Sequence, residues 1–170
     1  MSFKQILIHI GITLISLILI SYPYEFIGGG IFETIYGIIH LSIILILYFI
    51  SGYLITEKNG KFEFLNYVTI AIIGIILLIT ALIESPTDLN WKNGNGGIFW
   101  LIYRIYISGI ETPFNAIVNF NFSPLNMNFK IFVLGIYSII PSILITLGGY
   151  LKIKPSFKGI FKTRIVKSTS

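Results

Sequence analysis

The run from Ile31 to Leu54 limits what this chain can become more than any other stretch. As a helix of roughly 24 residues it is about 36 Å long, enough to cross a hydrocarbon core of about 30 Å with some tilt. Its polar and small residues Glu33, Gly37, His40 and Ser51 fall at offsets that a 3.6-residue repeat gathers into one stripe, while the rest is mostly Ile, Leu, Phe and Tyr. Ionisable groups at membrane depth are costly and turn toward protein. The stripe is therefore expected to face other helices, and the chain to fold as a bundle within a bilayer.

Composition agrees. Hydrophobic residues make up 55% of 170 positions and charged residues 11%, against about 25% charged in a soluble domain. The mean hydropathy is +0.87. The fold class expected is an all-α membrane protein forming a single integral domain over residues 1–170. With no cysteine, disulfide frameworks, thiolate metal sites and CxxC redox chemistry are excluded. The heavy use of Ile, Phe, Asn and Lys suggests an AT-rich bacterial source.

Four spans are predicted, at about 5–21, 31–54, 64–83 and 131–151. The first follows a leader whose one charged side chain is Lys4, as a secretory signal does, but Tyr22-Pro23-Tyr24-Glu25 follows it and not a small-x-small site, so it reads as an uncleaved anchor. Gln5, His9, Thr13 and Ser16 give it one polar face. Asn59-Gly60 marks a turn after the second span, and Glu84-Ser85-Pro86 stops the third. The third carries Ala71, Gly74 and Ala81, and the fourth Gly135, Ser138, Ser142, Thr146 and Gly149 with Pro141 as a kink, patterns that suit close helix packing.

Between them an outer loop, 84–129, contains the aromatic stretch 98–110 interrupted by Arg104. A fifth span over Ile98 to Phe120 would bury Arg104, Glu111, Asn115, Asn119 and Pro113, so an interfacial or re-entrant helix is expected, with Trp100, Tyr103 and Tyr106 at headgroup level. In the four-span arrangement Lys4, Lys58, Lys61 and all the basic residues of 152–170 share one side. Both termini are therefore expected to be cytoplasmic, in a multi-pass protein of the cell membrane. The tail is basic and weakly amphipathic: Phe157, Ile160, Phe161 and Ile165 against Lys158 and Lys162, with Arg164 inside the apolar arc. Lys158, Lys162 and Arg164 are expected to contact anionic inner-leaflet lipids. Half of the basic residues lie in this tail, which suits a membrane surface and not nucleic acid.

Three groups of side chains are candidates for function. Glu33 and His40 are assigned to proton or ion handling, although seven residues, roughly 10.5 Å of rise, separate them and a relay needs a third group. Trp100, Tyr103 and Arg104 are assigned to partner contact on the outer loop. Glu84, Asp88, Glu111 and Arg104 suit a salt-bridged cap over the bundle. No HExxH, GxSxG, P-loop or flanked GxGxxG occurs, so no metal, cofactor or catalytic group is expected. The function expected is non-enzymatic, acting through protein or lipid contacts as an accessory subunit or a protective protein, with a membrane-protein partner or a homo-oligomer. The alternative is a small oligomeric transporter or channel using Glu33 and His40.

Overall fold

The computed structural model describes residues 3–21, 30–57, 67–84, 97–118 and 127–153. Among them lie five helices: α1 (Phe3–Ser21), α2 (Ile31–Ile55), α3 (Thr69–Glu84), α4 (Ile98–Val118) and α5 (Met127–Ile153). Three are long and apolar enough to cross a membrane: α1, α2 and the part of α5 from Phe129 to Ile153; α3 is apolar but shorter. Burial gives the environment independently of length. Helix α1 exposes Leu7, Ile10, Leu14 and Ile18 while burying Gln5, His9, Thr13 and Ser16. Water would reject that outer face, and lipid accepts it. The chain is a membrane-embedded helical protein.

Contacts between helices fix their senses. Helix α2 runs against α1, since Tyr48 meets His9, His40 meets Ser16 and Tyr36 meets Leu19. Gly52 and Thr56 of α2 and its C-terminal edge face Ile145 and Gly149, so α5 runs with α2. Helix α3 runs against α5, with Ala71 at Ser142, Gly74 at Ser138 and Leu78 at Gly135. Helix α4 runs with α1, because Gly109 lies beside Ser16 and Ile44 while Pro113 and Ala116 lie beside Gly37. Thus α3 and α4 are consecutive yet point the same way, and Glu84 and Ile98 lie near opposite ends of the bundle. The start of α1 and the end of α5 share one end.

The neighbours form a ring, α1 beside α2, α2 beside α5, α5 beside α3 and α3 beside α1, and α4 touches all four. Helix α4 is therefore axial. The α2–α5 seam is the tightest part of the ring. A Cβ on Gly52 would collide with the Ile145 backbone and one on Gly148 with the Phe49 carbonyl, so the backbones themselves touch. At that end Thr56 Oγ1 and the Tyr67 hydroxyl bond at 2.7 Å, and Lys152 donates to the Leu54 carbonyl at 3.2 Å.

Two expectations about the aromatic stretch need correction. The helix does not stop at 110 but continues through Pro113 to Val118, and it lies inside the bundle and not on the headgroup layer. Trp100 and Tyr103 are both fully buried. The reason is visible in its partners: Gly37 leaves room for the Pro113 carbonyl, Tyr103 and Tyr106 bond to Leu134, Ser138 and Ile70 of the ring helices, and Arg104 pairs with Glu111 of α4 itself. The third span is described from Tyr67 and not from 64. The Asn59-Gly60 turn, the Tyr22–Glu25 link, much of the 84–129 loop, and the tail residues Lys158, Lys162 and Arg164 lie outside the described residues.

Candidate functional site

The polar groups of the interior form two clusters around α4. The first lies between α1 and α2. Gln5, His9, Thr13 and Ser16 recur at helical spacing on α1 and all are buried. The Tyr48 hydroxyl and His9 Nδ1 are 2.8 Å apart, and Ser16 Oγ and His40 Nε2 2.9 Å apart. The His9 ring also lies against Tyr106 of α4, centroids 4.1 Å apart. Thr13 Oγ1 and His9 Nε2 are buried without a hydrogen-bond partner.

The second cluster lies along α4 and α5. Arg104 and Glu111, two turns apart on one face of α4, form an ion pair whose carboxylate is buried and whose guanidinium is partly accessible. The Tyr103 hydroxyl donates to the Leu134 carbonyl at 2.7 Å and lies 3.1 Å from Ser138 Oγ. Tyr106 donates to the Ile70 carbonyl, which ties α4 to α3. Tyr137 is buried beside Phe114, rings 5.6 Å apart and steeply inclined. Between α1 and α4 a groove of about 210 Å³ opens sideways, lined by His9, Thr13, Leu14, Leu17, Ile102 and Tyr106.

These positions can be compared with the expected ones. His40 is buried at the middle of the α1–α2 seam, but its partner there is Ser16 and not Glu33. Glu33 stands half-buried two turns nearer the start of α2, and among the described residues no hydrogen bond or ion pair joins the two. Trp100, Tyr103 and Arg104 do not make an exposed docking surface: the first two are core residues and the third is paired. Arg104 and Glu111 do come together, within the bundle instead of over it. Glu84 is exposed at the end of α3; Asp88 is outside the described residues. Among the described residues no three His, Cys, Asp or Glu side chains converge as a metal-ligand set.

The sequence leaves Tyr48 and Tyr137 without a role and places Tyr106 at headgroup level, whereas its side chain lies between Ile70 and His9. Tyr48 had a signal, since it lies eight residues after His40 and so on the same face of α2. Tyr106 and Tyr137 sit among other aromatics, and nothing in their spacing separates them from lipid-facing neighbours.

Fold and interior together define a membrane-embedded helical bundle with a polar axis. Comparison with family profiles, with curated proteins and with solved structures finds no match to the chain.

Proposed function

We propose that this is a non-enzymatic, multi-pass protein of the bacterial plasma membrane that passes protons or small cations along its axis. In this reading α1, α2, α3 and α5 are the four spans. Helix α4 is re-entrant, emerging on the side where α3 ends and α5 begins. The common end of α1 and α5 is cytoplasmic, which suits the basic residues at Lys4, Lys58, Lys61 and in 152–170. The basic tail rests on anionic inner-leaflet lipids.

The observation that carries the proposal is the axial position of α4. A helix bearing Arg104, Glu111, Tyr103, Tyr106 and Ser108 is enclosed by helices that turn His9, Thr13, Ser16, His40, Tyr48, Ser138 and Ser142 inward. Apolar side chains would hold five helices together without exposing so many groups to desolvation, and intramembrane ionisable groups mark ion and proton pathways. Action through protein or lipid contacts, the first reading of the sequence, keeps fewer residues, because Trp100 and Tyr103 are buried. The tight α2–α5 seam leaves no wide lumen, so the passing species is small.

The test is reconstitution into liposomes loaded with a pH-sensitive dye, with a potential set by potassium and valinomycin. The protein is expected to raise proton or sodium flux well above that of empty vesicles, and His40→Phe to lower it at least tenfold. Flux equal to that of empty vesicles refutes the proposal.

A further inference from the structure

We infer that the passing species is the proton itself, and that it travels along the α1–α2 seam by way of His40, Ser16, Thr13, Tyr48 and His9. This rests on the passage proposed above and names its route. Two segments of the route are already hydrogen-bonded, Ser16 to His40 at 2.9 Å and Tyr48 to His9 at 2.8 Å. All five side chains are buried. Thr13 is the link between them. It lies one turn from His9 and three residues from Ser16 on the same face of α1, where Cβ atoms stand about 5–6 Å apart, a separation that one water bridges. Its hydroxyl is buried with no hydrogen-bond partner, one turn along α1 from the His9 ring that the Tyr48 hydroxyl reaches.

Each group on this route can take a proton on one atom and release one from the same or another. A proton taken up by the His40 ring leaves from Nε2 to Ser16 Oγ, as the Ser16 proton moves on through water to Thr13. Thr13 passes its own, again through water, to the Tyr48 hydroxyl, whose proton goes to His9 Nδ1, and His9 releases one from Nε2. One proton enters and one leaves, and rotation of the hydroxyls with exchange of ring tautomers restores the start. Glu33, half-buried toward the start of α2, and Gln5, one turn below His9, lie at the two ends.

A hydrated cation has no such path, since the route is a chain of buried hydroxyl and imidazole groups that hands on a proton by exchanging bonds and carries no carboxylate to take the place of a cation's water shell. The Arg104–Glu111 pair lies off the route, on α4, and serves to bring that helix into the bundle without net charge.

The experiment uses the full chain in the same dye-loaded liposomes, with Thr13→Val and Tyr48→Phe, each of which keeps the shape and removes one hydroxyl. Proton flux is expected to fall at least tenfold in each, and Thr13→Ser to retain it within twofold. Sodium flux should stay at the level of empty vesicles. Wild-type proton flux in either Thr13→Val or Tyr48→Phe overturns the route while leaving passage intact. Sodium flux that matches proton flux overturns the assignment of the proton. Absence of any flux in the unaltered protein overturns route and passage together.

Discussion

Replacing Gly148 by Ala tests the closest helix contact in the bundle. The added methyl group falls onto the Phe49 carbonyl and 2.9 Å from the Tyr53 nitrogen. Carbon and oxygen settle at about 3.3–3.6 Å, and neither neighbour is a flexible side chain that can swing away. Helices α2 and α5 must therefore part by roughly 1 Å. A gap of that size forfeits about a quarter to a half of each dispersion well, and about 40 atom pairs at ~0.1 kcal/mol make that loss ~1–2 kcal/mol per side chain's worth of interface. Overpacking in general costs about 1–3 kcal/mol. The expected destabilisation is thus about 2–3 kcal/mol. Gly52→Ala meets the Ile145 backbone across the same seam and should cost about as much. The two are not independent, because helices already forced apart leave room for the second methyl, so the double variant should cost less than the sum by on the order of 1 kcal/mol. Gly11→Ala is the control: a Cβ there meets nothing within 4 Å. Reversible unfolding by sodium dodecyl sulfate in mixed micelles, followed by circular dichroism, measures all four. Equal stability of Gly148→Ala and Gly11→Ala refutes the backbone contact.

Three further expectations follow from the axial helix and the charge distribution. An ideal Cβ on Gly109 lies 3.6 Å from that of Ser16, inside the range of about 3.5–4.5 Å that a disulfide needs. Since the chain has no cysteine, the pair Ser16→Cys and Gly109→Cys should crosslink on mild oxidation, and failure to do so displaces α4 from α1. Arg104→Gln leaves the buried Glu111 carboxylate without its ion pair, a loss of about 3–5 kcal/mol, which Glu111→Gln added to it should largely restore; an undiminished loss in the double variant refutes the pairing. Asn59→Cys should be shielded from a membrane-impermeant thiol reagent in intact cells and Glu84→Cys, exposed at the end of α3, labelled. The reverse pattern inverts the proposed orientation.

Much of the ring was legible in the sequence. The stripe Gln5, His9, Thr13 and Ser16 is buried as its spacing implied, and so are Gly37 and His40 of the next helix and Ser138, Ser142 and Gly149 of the last. Helical periodicity gives the inward face of a span whenever that face differs chemically from lipid. It fails for α4, because a polar stripe has the same period whether it meets water at the surface or polar side chains in the interior. The spacing of Arg104 and Glu111, two full turns, was a signal that the helix could carry its charges as a pair. The backbone contact at Gly52 and Gly148 was also missed. Gly52 follows Ser51 and Gly148 precedes Gly149, so each stands beside a residue of the expected stripe and not in it, and only the register of α2 against α5 brings both into one seam.

Helix α1 is held in a different way from α5, and the difference predicts which helix leaves the bundle first. The α2–α5 seam rests on backbone contact where residues 49–53 meet residues 145–148, whereas α1 is joined to α2 through hydrogen bonds at three heights: Tyr48 to His9, Ser16 to His40, and the Tyr36 hydroxyl to the Leu19 carbonyl. Hydrogen bonds between helices within a membrane average about 0.6 kcal/mol, so three contribute roughly 2 kcal/mol. Close packing of the α2–α5 kind is worth at least that much for one glycine contact, by the estimate made above for Gly148. The bundle should therefore open first at α1, and in doing so uncover His9, Thr13 and Ser16. Amide hydrogen exchange of the protein in lipid nanodiscs tests this directly. Protection in α1 is expected to be lower than in α2 and α5, and to fall further in α1 alone when Tyr48→Phe removes the bond to His9. Equal protection of α1 and α5, or a loss in Tyr48→Phe spread evenly over the helices, refutes the idea that hydrogen bonds and not packing hold α1 in place.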